Sequence, residues 1–213
     1  MRVRPYQIVL LFLCLSIVAP LHAAVTAPYS IDFSQYPSGT SAIPNLSTFG
    51  TWNVTSDGRY STVPFDPATA FLQVTNLADK DFEISTHFSF SGTGGVRLDG
   101  GGYILRYDGS LTLLGADTQP TKFASGNQLI LRAHPHDGIV DLTGLLIDGP
   151  NTYSVSAVDT TPNASQTFGI EAYRFNLQNP ASASFADITI IPEPSALLLV
   201  VLALTSLRPR SRS

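Results

Sequence analysis

Three carboxylates stand at alternate positions in the segment 79–83, which reads Asp-Lys-Asp-Phe-Glu. Alternate residues of an extended strand share a face, so Asp79, Asp81 and Glu83 would lie side by side. Two carboxyl groups about 5–5.5 Å apart can act as nucleophile and general acid in the hydrolysis of a glycosidic bond. The segment stands where a strand begins, and aspartate there commonly belongs to the preceding turn. We therefore expect a solvated strand end, with catalysis by these residues as the alternative.

A second polar group is the segment 134–137, which reads His-Pro-His-Asp. Two histidines two residues apart can share a face, but a useful metal site needs three or four converging ligands. Beyond residue 23 the only other histidine is His87. The segment is therefore predicted to be a polar loop that ends in the Asp137-Gly138 turn.

Aromatic rings and arginines are the remaining side chains that could contact a ligand. Aromatic rings can stack on sugar rings, although in β-proteins they more often lie in the core. The candidates for glycan contacts are Trp52, Tyr103, Arg106 and Tyr173. The sequence contains no Gly-x-Ser-x-Gly elbow, P-loop or dinucleotide-binding fingerprint. These observations favour a protein that is not an enzyme.

Charge and cysteine content exclude further classes of function. Charged residues make up 13% of the 213-residue chain, and residues 24–190 contain 7 basic and 15 acidic residues. Binding of nucleic acid needs a basic patch, so no nucleic-acid partner is expected. The one cysteine, Cys14, lies in the predicted leader described below, so the mature domain is expected to have no disulfide.

Alternation of apolar and polar residues indicates the elements that must position these side chains. In residues 82–90, Phe82, Ile84, Phe88 and Phe90 fall on one face and polar residues on the other. Similar runs occur at 29–33, 50–54, 71–75, 103–107, 111–114, 128–132, 140–147, 152–158, 166–172 and 182–190. Asp-Gly pairs typical of turns occur at 57–58, 99–100, 108–109, 137–138 and 148–149. The pattern predicts an all-β antiparallel sandwich, with the glycine-rich stretch 92–102 as a loop.

Residues 1–23 have the pattern of a secretory signal peptide. Arg2 and Arg4 form a basic start, and an uncharged, mostly apolar run follows at 8–19. That run is shorter than the roughly 20 residues that span a bilayer. Cleavage is predicted between Ala23 and Ala24, after export through the Sec machinery.

The segment 191–213 combines three features in a fixed order. A Pro-Glu-Pro motif is followed by the apolar stretch 195–207 and then by an arginine-rich tail. The residues concerned are Pro192, Glu193, Pro194, Arg208, Arg210 and Arg212. This order resembles the PEP-CTERM sorting signal of Gram-negative bacteria that make extracellular polysaccharide.

The PEP-CTERM resemblance implies a destination and a processing enzyme. It implies that the Pro-Glu-Pro motif is recognised by exosortase, a membrane-embedded transpeptidase that cuts near it, and that the arginines keep the tail in the cytoplasm. The apolar stretch of 13 residues would form a helix about 20 Å long, whereas a hydrocarbon core is about 30 Å thick. We therefore expect transient insertion in the inner membrane, followed by release to the cell surface or extracellular matrix.

The order of short segments between residues 29 and 190 resembles the concanavalin A-like lectin/glucanase jelly roll, particularly its laminin-G-like branch. The segments are 29–33, 50–54, 81–86, 102–106, 146–149, 168–172 and 185–190. The resemblance implies two curved antiparallel sheets of six or seven strands each, with a concave face that binds glycans in many members. Glucanases of this superfamily carry Glu-x-Asp-x-Glu on one strand, a pattern from which segment 79–83 departs at its first residue. Laminin-G-like folds can hold Ca²⁺, for which Asp99, Asp108 and Asp137 are the candidates.

Together these observations predict three parts: a signal peptide at 1–23, a β-sandwich at 24–190 and a sorting signal at 191–213. The predicted function is that of a non-catalytic structural or glycan-binding component outside the cell. Two alternatives remain open, a glycoside hydrolase of the jelly-roll glucanase type and a Ca²⁺-dependent adhesion module that binds another protein.

Overall fold

The computed structural model describes residues 23–62, 68–77, 80–114, 121–122, 126–162, 165–174 and 181–192. The predicted signal helix and the predicted C-terminal hydrophobic helix lie outside these residues. Within the described ranges, no helix is long and apolar enough to cross a membrane. The strands are β1 (Tyr29–Asp32), β2 (Ser47–Phe49), β3 (Asn53–Val54), β4 (Tyr60–Thr62), β5 (Ala68–Gln73), β6 (Phe82–Gly92), β7 (Gly94–Gly100), β8 (Tyr103–Tyr107), β9 (Ser110–Leu114), β10 (Thr121–Lys122), β11 (Gln128–His136), β12 (Ile139–Asp148), β13 (Asn151–Asp159), β14 (Thr167–Arg174), β15 (Ala181–Phe185) and β16 (Asp187–Pro192). A 3-10 helix occupies Phe33–Gln35.

Two antiparallel sheets form the molecule. One has seven strands in the order β10-β9-β8-β7-β14-β5-β2. The other has nine strands, with the path β13-β12-β11-β6-β15-β4-β3 and a branch in which β16 pairs with both β6 and β1. The prediction of an all-β antiparallel sandwich is confirmed, and the branch raises one sheet above the expected six or seven strands.

The core lies between the sheets and is built from the alternation seen in the sequence. In β6, Phe82, Ile84 and Phe88 are buried while His87 is exposed. A group of aromatic rings fills one region, where Trp52 stacks on Tyr60 at 5.1 Å and Tyr60 stacks on Phe33 at 4.9 Å between ring centroids. Burial of such large apolar side chains stabilises the fold by roughly 25 cal/mol per Å² of apolar surface.

The predicted strand at 182–190 is divided in two. β15 and β16 both pair with the same edge of β6, with Ala186 between them. Asp187 bonds to β6 through its carboxylate, which accepts from the His87 backbone N–H at 2.8 Å. β16 continues to Pro192, which lies opposite Phe82.

The stretch 92–102 is not the predicted loop. Residues 94–100 form β7, which lies between β8 and β14 in the interior of the seven-stranded sheet. Glycine suits this strand because neighbouring backbone approaches closely. A Cβ at Gly95 would lie 2.4 Å from the carbonyl oxygen of Tyr107 and 2.6 Å from the Tyr173 hydroxyl.

Three of the five Asp-Gly pairs, 57–58, 108–109 and 137–138, lie in turns between strands, as the sequence predicts, and at 148–149 Asp148 ends β12 while Gly149 begins the turn. At Asp137-Gly138 both residues have positive φ, 49° and 79°, as a tight two-residue hairpin requires. The pair 99–100 instead ends β7, and the turn follows at Gly101-Gly102.

The predicted loop at 134–137 is also a strand up to His136. From His134 onward, β11 pairs with β12 but no longer with β6. Pro135, which has no N–H to donate, is therefore tolerated at this edge position.

Candidate functional site

A row of polar side chains crosses the seven-stranded sheet on its outer face, the face turned away from the core. Directly opposed residues of neighbouring strands share a face. Strand pairing places the following residues in register: Phe49, Thr69, Glu171, Arg97, Arg106 and Thr112. We call these six residues, five polar ones with Phe49 at one end, the polar row.

Ion pairs connect the central members of the polar row. Arg97 Nη1 donates to Glu171 Oε1 at 2.6 Å, and the Arg97 guanidinium lies 4.4 Å from the centroid of the Tyr173 ring. Arg106 Nε lies 3.2 Å from Asp108 Oδ2, which also accepts from the Tyr173 hydroxyl at 3.1 Å. The carboxylates thus compensate two arginine charges that lie directly opposite one another on neighbouring strands.

Asp99 adjoins the polar row, two residues after Arg97 on the same face of β7. Burial raises the pKa of Asp99 to about 7, with the charge of Glu171 adding to the effect and that of Arg97 opposing it. Burial also raises the pKa of Glu171, against the influence of Arg97. The outer face therefore holds two carboxyl groups that gain protons more readily than carboxyl groups in water.

Several hydrogen-bonding atoms in this region are buried and unsatisfied. Among the described residues, Arg97 Nε, Asp99 Oδ1 and Thr112 Oγ1 have no hydrogen-bond partner. Thr112 as a whole is only 8% exposed. A buried polar atom without a partner costs about 1–3 kcal/mol, so these atoms lower the stability of the outer face.

Glycines give the outer face its shape. A Cβ at Gly169, which lies opposite Asp99, would come within 2.3 Å of the Ala70 carbonyl oxygen. Gly95 is similarly crowded by Tyr107 and Tyr173, as described above. Small residues here let the backbones of β5, β14, β7 and β8 lie close together beneath the polar side chains.

An exposed aromatic ring stands at one end of the polar row. Phe49 is 65% exposed, and within the described ranges Phe49 and Val158 are the large hydrophobic side chains that solvent reaches in this way. Val158 lies on β13 of the other sheet. The seven-stranded sheet therefore offers an apolar ring and a polar cluster on one face.

The structure distributes the four predicted glycan-contact residues over three places. Arg106 and Tyr173 meet at Asp108 beside the polar row. Trp52 is 2% exposed, stacks on Tyr60 and donates from Nε1 to the Phe49 carbonyl oxygen at 3.1 Å. It is a core residue whose edge reaches a surface depression of about 510 Å³ beside Gly50.

Tyr103, the fourth predicted contact, lies at an end of the sandwich. It faces the core at 6% exposure and donates from its hydroxyl to Asp159 Oδ2 at 2.9 Å. It lines a pocket of about 340 Å³ between the sheets, together with Phe82, His136 and Ile139. The walls of this pocket are chiefly apolar, which suits hydroxyl-rich ligands less well than the polar row does.

Two carboxylates of segment 79–83, Asp81 and Glu83, lie on the outer face of the nine-stranded sheet. Asp81 lies 2.8 Å from His134 Nδ1, and Glu83 accepts from Arg132 Nε at 2.7 Å. Asp79 lies outside the described residues. Both placed carboxylates contact side chains of the neighbouring strand β11, as expected for a solvated strand end.

The predicted Ca²⁺ ligands do not assemble into a site. Asp99 belongs to β7, Asp108 to the turn after β8, and Asp137 to the β11–β12 turn, where its side chain is 99% exposed. In the described part of the chain, no three His, Cys, Asp or Glu side chains are grouped so that they could hold a metal ion. These residues do not fit a Ca²⁺ site of the usual six to eight oxygen ligands.

The residues of the predicted terminal signals are placed only in part. Ala23 and Ala24 are exposed at the start of the described chain, and exposed Pro192 ends β16. Glu193, Pro194, Arg208, Arg210 and Arg212 lie outside the described residues. Cleavage and sorting at these positions stay predictions.

The polar row lies largely where the sequence analysis proposed no site. Arg97 and Asp99 are in the stretch predicted to be a loop. Phe49, Thr112 and Glu171 are not among the predicted site residues. One signal was available: Val96 and Leu98 alternate with Arg97 and Asp99 as in a strand with one apolar face. Neighbouring glycines obscured it.

Solved structures of similar fold include lectins. Lectin II from Ulex europaeus has a TM-score of 0.51 and 11% identity, over 76% of this chain and 98% of that one. The exoplasmic/lumenal domain of VIP36 in its metal-free form has a TM-score of 0.55 and 13% identity, over 79% of this chain and 93% of that one. Its Ca²⁺/Man-bound form has a TM-score of 0.53 and 13% identity, over 78% and 90%.

No protein-family model and no curated protein matches the sequence. The PEP-CTERM interpretation therefore stays a prediction from the sequence alone. At such low identity the structural likeness concerns the fold, which is the concanavalin A-like jelly-roll β-sandwich found in these lectins.

Proposed function

We propose that this chain is an exported, non-catalytic β-sandwich that binds a glycan through the outer face of its seven-stranded sheet. It acts at the cell surface or in the extracellular polysaccharide matrix of a Gram-negative-type bacterium. The fold supports this proposal, since similar structures include a Ulex europaeus lectin complexed with galactose and VIP36 with bound mannose.

The observation that carries the proposal is the polar row, in which partly exposed arginines lie in register with the exposed ring of Phe49. Sugars present dense arrays of hydroxyl groups, each of which can both donate and accept a hydrogen bond. The side chains of Arg97 and Arg106 are 25% and 29% exposed and offer N–H donors to such hydroxyls. A glycan hydroxyl accepts from them without bringing a charge to this face.

The electrostatics of the two sheets support binding without turnover. On the nine-stranded sheet, Asp81 contacts His134 and Glu83 is paired with Arg132, which leaves neither as a free nucleophile or acid. On the seven-stranded sheet, Glu171 is held by Arg97 at 2.6 Å. Release of reducing sugar by the purified protein, abolished by Glu83→Gln, would support the glycoside hydrolase alternative instead.

The termini supply the cellular part of the proposal. The leader directs Sec export with cleavage between Ala23 and Ala24, and the Pro192-Glu193-Pro194 segment is the exosortase recognition motif. The apolar stretch halts in the inner membrane, and Arg208, Arg210 and Arg212 hold the tail in the cytoplasm until cleavage. In a strain without exosortase, we expect a mature mass larger by the uncleaved tail, and an unchanged mass would contradict this part.

The glycan part is tested by an array of polysaccharides and oligosaccharides probed with the purified mature protein, with and without Ca²⁺. We expect binding that is independent of Ca²⁺ and weakened by Arg106→Gln. The matched control is Arg132→Gln on the other sheet, which should bind as the unchanged protein does. Binding that required Ca²⁺, together with a large Ca²⁺-induced rise in Tm, would support the adhesion-module alternative.

A further inference from the structure

The apolar pocket at the end of the sandwich lies beside the point where the C-terminal segment leaves the sheet. We propose that this pocket binds the apolar stretch 195–207 of the same chain, with the leucines at 197–199 inside it, for as long as the chain keeps its tail. The stretch then has two alternative environments, the lipid of the inner membrane and the pocket of its own domain. This inference goes beyond the proposed function and does not depend on glycan binding.

The course of β16 brings the tail to the pocket. β16 is antiparallel to β6 and ends at Pro192, which lies opposite Phe82, the first residue of β6. Phe82 lines the pocket, as do Leu77 and Lys80, which precede β6 along the chain. The chain therefore leaves the sheet at the same end of the sandwich at which the pocket lies.

The segment is long enough to reach the far wall of the pocket, which Val140 of β12 forms. Two strands, β6 and β11, lie between β16 and β12, so three strand spacings of about 4.8 Å, or about 14 Å, separate them. The seven residues from Pro192 to Leu199 span up to about 23 Å when extended. A leucine at the start of the apolar stretch can therefore contact Val140.

The walls of the pocket match aliphatic side chains. Leu77, Phe82, Ala133, Ile139 and Val140 all line it. Its volume of about 340 Å³ is at the lower end of the range of roughly 300–1,000 Å³ for ligand pockets. A pocket of this size holds a few side chains and not a whole helix, whose diameter is about 10–12 Å. The proposal therefore assigns only the first leucines of the stretch to the pocket.

The polar groups of the pocket also favour an apolar occupant. The Tyr103 hydroxyl donates to Asp159 at 2.9 Å, and His136 Nε2 lies 2.9 Å from Asp141 Oδ2. Both groups thus have partners within the protein, and the occupant need not supply them. Burial of leucine side chains against the apolar walls removes apolar surface from water, which is favourable.

Charge distinguishes this segment from other apolar peptides. Glu193 is the one charged residue between Pro192 and Arg208. Lys80, which lines the pocket, is exposed and therefore lies at its mouth. A carboxylate that precedes the apolar stretch can pair with the Lys80 ammonium while the leucines beyond it enter the pocket.

The short length of the apolar stretch gives the pocket a purpose. A helix of 13 residues is about 20 Å long, whereas a hydrocarbon core is about 30 Å thick, so lipid holds the stretch weakly. In a chain that leaves the membrane before it is processed, the pocket covers leucines that would otherwise form an exposed apolar patch. Such patches promote aggregation.

The test is disulfide formation in the chain from Ala24 to Ser213, which has lost its leader and kept its tail. Because Cys14 lies in the leader, each double variant contains only the two cysteines that are introduced. The first variant combines Val140→Cys, at a position 5% exposed in the pocket wall, with Leu199→Cys. The matched control combines Asp141→Cys with Leu199→Cys, because Asp141 is the next residue of β12 but its side chain is 51% exposed.

We expect mild oxidation to join positions 140 and 199 within single chains, at a yield about fivefold above that of the control, because docking raises the local concentration of the two thiols. Random collision gives the opposite order, since position 141 is the more exposed. Addition of Leu197→Glu should lower the yield about fivefold, because the apolar walls offer no partner for a buried charge. Mass spectrometry of unreduced peptides measures all three yields.

Three results would overturn the inference: equal yields in the two double variants, no disulfide at position 140 although both thiols react with a thiol reagent, or disulfides that form only between two chains. The last would mean that the occupant is the tail of a second copy. Because Val140 is buried, Pro135→Cys on the facing strand is a second probe of the same pocket wall. None of these results affects the proposals on glycan binding and export, which have their own tests.

Discussion

Both sheets carry ion pairs between neighbouring strands on their outer faces, but the two faces differ in burial. On the nine-stranded sheet, the carboxylates of Asp187, Asp81 and Glu83 are 28%, 29% and 18% exposed in their contacts. On the seven-stranded sheet, Glu171 and Asp108 are 10% and 9% exposed beside their arginines. Water can satisfy the first set of groups, whereas the second depends on partners supplied by the protein or by a ligand.

This difference in burial determines how much each ion pair affects the stability of the protein. Exposed ion pairs contribute little to stability because water competes with them and screens them. Buried ion pairs are costly to desolvate, and removal of one partner leaves an uncompensated charge. Similar residue types on two faces of one sandwich therefore have different consequences for stability.

The largest expected effect comes from Arg97→Ala. The substitution leaves Glu171 buried without its cation, and we expect the free energy of unfolding to fall by about 3 kcal/mol. The matched variant is Arg132→Ala, which leaves Glu83 without its contact at 2.7 Å. Because the Arg132 side chain is 44% exposed, we expect a loss below about 1 kcal/mol. Urea denaturation of both variants measures the difference, and equal losses would contradict the distinction between the faces.

The next prediction concerns the pH dependence of stability that Asp99 causes. Its pKa is raised from an ordinary 3.8 to about 7 by burial. The folded state therefore retains a proton that the unfolded state releases, so stability falls as the pH rises from about 4 to about 7 and stays lower above that. Asp99→Asn removes this loss. Its free energy of unfolding relative to the unchanged protein should increase by up to a few kcal/mol between pH 4 and pH 8.

The control for the pH experiment is Asp81→Asn on the nine-stranded sheet. Its carboxylate is 29% exposed beside a histidine that is itself 55% exposed. We expect its effect to stay below about 1 kcal/mol at both pH values. An Asp99→Asn difference that did not grow with pH would show that Asp99 is ionised in the folded protein across this range.

Sequence patterns predicted the sheets well because strand formation here depends on local alternation. Period-two patterns predicted β6, β8, β11 and β12, and the pairs at 108–109 and 137–138 predicted their turns. Local sequence patterns failed where the conformation of a segment depends on contacts with residues that are distant in the sequence. Nothing local to Gly94–Gly100 says that Tyr107 and Tyr173 will crowd Gly95 and so favour glycine in a strand.

The site was harder to predict than the fold for the same reason. Arg97 and Glu171 are separated by 74 residues, and their contact depends on the pairing of β7 with β14. Arg106 and Tyr173 could be selected from residue type, but the carboxylate that joins them, Asp108, was interpreted as part of a turn. Burial of the unsatisfied atoms is a property of the assembled sheets, so no sequence motif encodes it.

A smaller effect distinguishes two buried threonines. Thr112 Oγ1 has no hydrogen-bond partner in the described chain, whereas Thr86 Oγ1 on β6 donates to the Asp187 carbonyl oxygen at 2.6 Å. Thr112→Val removes an unsatisfied hydroxyl, and we expect it to raise the free energy of unfolding by about 1 kcal/mol in the absence of ligand. Thr86→Val should lower it by about 1 kcal/mol. Thermal and urea denaturation of the unliganded variants measure both signs.

The same pair of variants separates stability from binding. Thr112 lies in register with Arg106 in the polar row, but its hydroxyl is buried, so Thr112→Val should stabilise the fold without changing glycan binding. Thr86 faces the core of the other sheet, so Thr86→Val should leave binding unchanged. Destabilisation by Thr112→Val would mean that its hydroxyl is satisfied within the protein.

The smallest effect is expected for His134→Ala on the nine-stranded sheet. Its Nδ1 contacts Asp81 at 2.8 Å, but the histidine side chain is 55% exposed and water can replace the contact. We expect the free energy of unfolding to change by less than about 0.5 kcal/mol, with glycan affinity unaltered. A loss above about 2 kcal/mol would mean that exposed pairs are as important to the fold as the buried Arg97–Glu171 pair. Burial would then no longer distinguish the two faces.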